Sequence, residues 1–137
     1  EDGIRDLVRS RGLGDVCKGQ RLASTDIDYI NLHGTGSQAN DAMEDMAVFS
    51  VFGDGVPCSS TKGWTGHTLG ASGALEAVMA ILYLQHGFLP GCLNVGQVDP
   101  AFRARVTTAN ETAPVRHVLS NAFGFGGTNC SLVFGAA

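Results

Sequence analysis

Two histidines stand in loops built of glycine and hydroxyl residues, and those surroundings define the chemistry on offer. The first opens His33-Gly34-Thr35-Gly36-Ser37; the second closes Ser59-Ser60-Thr61-Lys62-Gly63-Trp64-Thr65-Gly66-His67. Glycine lets the backbone come close to a ligand, and Ser and Thr hydroxyls offer donors there. A neutral imidazole donates from one nitrogen and accepts at the other, so its neighbours fix its tautomer. Lys62, five residues before His67, adds a positive charge. Two imidazoles and an ammonium brought together can stabilise negative charge developing on a reacting oxygen, at about 2.7–4 kcal/mol per donor in comparable oxyanion sites.

Strand ends must carry these loops. Residues 27–32 and 56–60 read as short strands, and each reactive loop leaves a C-terminal end, where open α/β sheets gather their ligands. A helix over 40–51 follows the first loop. Asp41, Glu44 and Asp45 crowd its first turns, which suits the helix dipole, and Ala42, Met46, Val48 and Phe49 supply its buried stripe. Gly53-Asp54-Gly55 breaks it. A longer helix over 68–86 follows the second loop, and between Leu69 and Leu84 its only charge is Glu76. A helix apolar all round is a buried helix. Covering both its faces takes a segment or subunit beyond this domain. A lone carboxylate in such a helix needs a cation or several donors, and Lys62 is the candidate. Further runs over 92–95, 105–108, 115–120 and 130–134 read as strands, with Asn121-Ala122-Phe123-Gly124-Phe125-Gly126-Gly127-Thr128-Asn129 between the last two. No Lys-Ser/Thr follows these glycines and no helix opens there, so they are not a phosphate cradle. Upstream, residues 4–9 carry a helical pattern ended by Gly12 and Gly14, and 15–25 read as a polar loop.

The bulk properties fit one α/β domain. The chain has 137 residues, 44% of them apolar and 16% charged, with a formal charge of −4. No basic patch stands out, which argues against nucleic acid as a partner. The longest apolar stretch, 77–84, is too short to span a bilayer. There is no signal-peptide pattern, and Glu1 in place of methionine suggests a chain cut from something longer. The cysteines at 17, 58, 92 and 130 form no CxxC pair. They read as reduced, small core residues of a cytoplasmic protein rather than a disulfide framework or metal site.

Taken together, the loop at 33–37, the segment at 59–67 with its small-residue helix, and the segment at 121–129 resemble the β-ketoacyl-acyl-carrier-protein synthases, condensing enzymes of the thiolase fold. Their C-terminal half carries three such motifs in this order, and the likeness runs from residue 27 to 134. Ser37 stands where the family has threonine and keeps the hydroxyl. The stretches at 62–67 and 87–94 also resemble the synthases of aryl-polyene pathways. The resemblance implies a ketosynthase C-terminal domain over 26–137, preceded by a poorly matching helix and loop over 1–25. It implies an α/β architecture that is the C-terminal half of a thiolase-like fold, a mixed sheet with helices, layered αβαβα in the full enzyme.

The reaction implied is a decarboxylating Claisen condensation in fatty acid or polyketide/polyene synthesis, which makes the full enzyme an acyltransferase. Malonyl on acyl carrier protein loses CO2, and the carbanion attacks an acyl thioester held on a cysteine. By the resemblance His33 and His67 stabilise the enolate, Lys62 orients the site and adds a positive field, and Glu76 partners Lys62. Thr35, Ser37 and Phe123 meet the pantetheine arm, and Phe125 gates entry. No cofactor is implied, because substrates ride on the phosphopantetheine of acyl carrier protein. The implied partners are acyl carrier protein, the N-terminal half of the synthase, and a second chain in a homodimer or heterodimer. The family's nucleophilic cysteine sits in that N-terminal half in a Thr-Ala-Cys-Ser-like context, which none of the four cysteines here shares. The chain alone is therefore expected to be inactive. Two other readings compete: a non-catalytic partner like a chain-length factor, against which the persistence of His33, Lys62 and His67 argues, and a metal-dependent hydrolase using His33 and His67 with Cys58 or Asp54.

Overall fold

A computed structural model describes residues 22–136. The expected helix over 4–9, most of the loop over 15–25, and Cys17 lie outside the described residues. The elements in chain order are β1 (Tyr29–Asn31), α1 (Gln38–Phe52), β2 (Pro57–Ser59), α2 (Lys62–Thr65), α3 (Ser72–His86), β3 (Phe88–Leu89), β4 (Arg105–Val106), β5 (Glu111–Thr112), β6 (His117–Phe123) and β7 (Asn129–Gly135). One sheet has the order β4-β2-β1-β6-β7; β3 and β5 pair separately. The pairs β1–β2, β1–β6 and β2–β4 are parallel, and β6–β7 is an antiparallel hairpin. This is a mixed α/β sheet of the kind expected.

Alternation along the strands divides the core. Ile30, Cys58 and Leu119 face α1 and pack with Val48, Phe52 and Ala104. Their neighbours Tyr29 and Val118 face the other way and pack with Ala80 and Tyr83 of α3. The sheet thus sits between two helical layers. Asn31 is buried on β1 in register with Ser59 and Ser120, so the loops that follow β1 and β2 emerge side by side.

α3 ends where Gly87 turns left-handed at φ +60°, and a Cβ there would meet the Ala113 carbonyl oxygen at 2.8 Å. The helix begins at Ser72 after a 3₁₀ turn, Leu69–Ala71, rather than running evenly from 68. It buries Ser72, Glu76, Ala80 and Tyr83 and leaves Val78, Ile81 and Leu82 exposed. Among the described residues only one side of the apolar helix is covered.

Several expectations need correction. The buried face of α1 is Glu44, Asp45, Val48 and Phe52. Ala42 and Met46, expected inside, are exposed, Met46 to 64%, and Phe49 is half-buried with the Arg103 guanidinium over its ring. The two carboxylates displace them because they serve main-chain donors. Asp45 accepts from the N–H groups of Arg103 (3.0 and 3.1 Å) and Ala104 (2.8 Å), which pins the loop before β4. Residues 92–95 form a turn, not a strand, with Asn94 at φ +63°. Residues 121–123 belong to β6, so the loop between β6 and β7 is shorter than read. Cys58 is buried, Cys92 is half-buried, and Cys130 is exposed rather than part of the core.

Candidate active site

His33 leaves the end of β1 and is 5% exposed. Its main-chain N–H and that of Gly34 each donate to Glu44 at 2.8 Å, one to each carboxylate oxygen. Glu44 also accepts from the Asn121 side chain on β6 at 3.1 Å, and Asn121 in turn accepts from Ser131 at 2.8 Å. Burial pushes the Glu44 carboxyl upward against these donors. Gly34 has φ +40°, and a Cβ there would lie 2.5 Å from that of Ser60. Ser60 Oγ donates to the Gly34 carbonyl at 2.9 Å, which stitches the two reactive loops together.

Lys62 heads α2 and is buried. Its Nζ forms an ion pair with Glu76 Oε1 on α3, and the same oxygen accepts from Ser72 Oγ at 3.2 Å. The partner that a carboxylate in this helix required is thus Lys62. Lys62 Nζ also lies 3.5 Å from His33 Nδ1. An ammonium only donates, so the ring proton of His33 sits on Nε2. Burial first, then Lys62 and His67, lower the pKa of His33 to about 4, and its ring is neutral at physiological pH.

His67 is exposed, and its ring stands 5.5 Å from that of His33, nearly perpendicular at 84°. The Leu69 N–H donates to His67 Nδ1 at 3.1 Å, so in the neutral ring the proton is again on Nε2. Phe123 closes a third side, 5.5 Å from the His33 ring. Two imidazole rings, an ammonium behind one of them and an aromatic wall therefore lie close together, an arrangement able to stabilise an oxyanion. By contrast with Glu44, Asn31 Oδ1 and Glu76 Oε2 are buried with no donor among the described residues.

Thr35 Oγ1 and Ser37 Oγ lie 3.0 Å apart on the exposed loop after His33. Phe125 is fully exposed at the tip of the β6–β7 hairpin and is not brought against the histidines. A cavity of about 820 Å³ runs from Thr35, Lys62 and His67 along α1 toward Leu93 and Phe102. The metal-hydrolase set is not assembled. Asp54 is exposed in a turn, the Cys58 thiol donates to the Arg105 carbonyl at 3.4 Å, and no group of three His, Cys, Asp or Glu side chains among the described residues could hold a metal ion. The roles of Glu44, Asn121 and the Leu69 N–H in holding the histidines were missed. The one legible signal was that Glu44, Val48 and Phe52 follow each other at i, i+4, i+8 on a single helix face.

Parallel strands of a mixed sheet thus deliver the two histidine loops to one side of the domain, and comparison with known proteins identifies the family. The family profile described as "Beta-ketoacyl synthase, C-terminal domain" matches residues 8–96, beginning within the segment read above as an N-terminal helix and loop. The chain belongs to that family. It is 44% identical over 135 residues to 3-oxoacyl-[acyl-carrier-protein] synthase 1 of Haemophilus influenzae, covering 94% of this chain and 33% of the relative. It is 45% identical over 144 residues to the mitochondrial 3-oxoacyl-[acyl-carrier-protein] synthase of Arabidopsis thaliana, covering 98% and 30%. Among solved structures, a ketosynthase in complex with its chain length factor from Xenorhabdus doucetiae matches with a TM-score of 0.83 at 43% identity, over 88% of this chain and 31% of that one. The chain spans about a third of the length of the curated relatives it matches.

Proposed function

We propose that this chain supplies the enolate-stabilising part of a 3-oxoacyl-[acyl-carrier-protein] synthase, a cytoplasmic acyltransferase of fatty acid or polyketide/polyene synthesis. The observation that carries the reading is the approach of the His33 and His67 rings to 5.5 Å, with Lys62 Nζ 3.5 Å from His33 Nδ1. When malonyl thioester loses CO2, the electron pair of the broken C–C bond moves into an enolate whose charge rests on the thioester oxygen. Nε2–H of His33 and of His67 donate to that oxygen. The enolate carbon then attacks the acyl thioester, the thiolate leaves, and the chain is longer by two carbons. The low pKa of His33 serves this step, because a protonated His33 would compete with the Lys62 ammonium.

The acyl group needs a thiolate, and two of the cysteines among the described residues are poorly suited to supply one. Burial pushes the Cys58 thiol up to about 12 and raises that of Cys92 as well. The nucleophile belongs to an N-terminal half, which packs on the exposed Val78, Ile81 and Leu82 of α3. The cavity beside Thr35 and Lys62 is of the size that ligand pockets have and leaves room for a pantetheine arm, in line with the acyl-carrier-protein substrates that the relatives' names record. Thr35, Ser37 and Phe123 take that arm, and Phe125 gates it.

The test uses a complete synthase containing these residues. His33→Gln is expected to lower malonyl-ACP decarboxylation by about 10²–10³ while acyl transfer to the nucleophile continues. This chain alone should take up no acyl group from acyl-ACP. Covalent acylation of the isolated chain, or unimpaired decarboxylation by the variant, overturns the reading.

A further inference from the structure

Lys62 stands on α2, a single helical turn of four residues whose N-cap, Thr61, makes no side-chain cap bond. A turn that short does not hold itself. The segment from Pro90 to Leu93 runs beside residues 59–64 and meets them one after another. The Pro90 carbonyl accepts from Ser59 Oγ at 2.6 Å and from the Tyr29 hydroxyl at 3.2 Å. The Gly91 carbonyl accepts from the Trp64 indole N–H at 3.3 Å. Cys92 Sγ accepts from the Ser60 N–H at 3.4 Å. A Cβ on Gly63 would lie 2.9 Å from the Leu93 carbonyl oxygen and 3.1 Å from the Leu93 Cβ. Gly63 is not among the glycines at positive φ, so what it provides is room and not backbone freedom. The segment is itself anchored. The Gly91 N–H donates to Asn110 Oδ1 at 3.0 Å, and the Cys92 N–H donates to the Thr107 carbonyl at 2.9 Å.

We propose that Gly63 and Trp64 are positioning residues for Lys62, docking α2 on the 90–93 segment and thereby setting where the ammonium stands between Glu76 and His33. Gly63 allows the close approach, and the indole bond of Trp64 latches it. The catalytic consequence rests on the reading of His33 and Lys62 as parts of the oxyanion site, but the placement of Lys62 can be measured without any reaction.

Two substitutions in the complete synthase test this. Gly63→Ala forces a methyl group onto Leu93 and pushes α2 away from it. It is expected to lower kcat for malonyl-ACP decarboxylation by about 10-fold, with KM little changed, as a small misplacement of a site group does. The second readout is the His33 ring, followed by NMR with imidazole-labelled histidine. Burial, then Lys62 and His67, hold its pKa down to about 4, with Asp41 pulling the other way. With the ammonium displaced the pKa rises toward 6.5, so at about pH 5.5 the ring is neutral in the parent and partly protonated in the variant. Trp64→Phe keeps an aromatic ring and removes the N–H donor. It should move both readouts in the same direction and by less, and it carries the test if Gly63→Ala does not fold. The proposal is overturned for each residue whose variant leaves His33 as neutral as in the parent, whatever the rate does, because Lys62 would not have moved. Protonation of His33 in the variants with an unchanged rate would uphold the placement of Lys62 and instead overturn the role given to it in the reaction.

Discussion

His33 and His67 face the same point but are held in opposite ways. His33 is buried, its main chain gripped by Glu44, its Nδ1 by Lys62, its ring flanked by Phe123. His67 lies open, with the main-chain N–H of Leu69 on its Nδ1. One half of the pocket is thus part of the core, and disturbing it disturbs the fold. The other half is placed by a loop, and disturbing it touches chemistry with little effect on stability. A site can therefore be prebuilt on one side and left adjustable on the other.

The contrast can be tested on the buried side first. Lys62→Ala leaves Glu76 in the interior with only Ser72, and the loss of stability should be about 3–5 kcal/mol in urea denaturation. A loss well under 1 kcal/mol would mean that the pair is solvated and that His33 is not core-anchored. Glu44→Ala comes next. It strands the N–H groups of His33 and Gly34, at about 1–3 kcal/mol, with Glu44→Gln falling between it and the parent. Third is pH. The folded pKa of His33 is about 4 against an ordinary 6.5, so below 6.5 the unfolded chain binds a proton that the folded chain refuses. His33 therefore makes stability fall as pH drops from 6.5 to about 4. The raised Glu44 carboxyl works in the opposite direction, so the measurement is the difference between parent and His33→Gln melting curves across that window. Smallest in stability, His67→Gln should stay within about 0.5 kcal/mol of the parent. In the complete synthase it should still cut decarboxylation by about 10²–10³. A large stability loss there would erase the distinction between the two histidines.

The legible part of this molecule was the part that repeats locally. His33, Lys62 and His67 sit in short segments whose glycines and hydroxyls announce a loop after a strand, and Glu76 is the one charge in an apolar helix. Glu44 and Asp45 misled because a carboxylate in the first turns of a helix has a sufficient local explanation in the dipole. Their actual donors, on Gly34, Arg103 and Ala104, come from loops that only the tertiary fold brings near. Met46 turns outward for the same reason, since the face that points inward is the one the two carboxylates occupy. β3 and β5, two residues each, are too short for any periodicity to show. The run at 92–95 looked extended, but Cys92 spends its N–H on the Thr107 carbonyl and Asn94 then reverses the chain.

β7 has a consequence of its own. It is seven residues long and, among the described residues, stands at the end of the sheet order, and Cys130 and Leu132 on it are exposed. An open row of main-chain amides and carbonyls is a template for another strand. Concentrated solutions of this polypeptide by itself should therefore self-associate edge to edge, and a lysine in place of Leu132 should keep them clear.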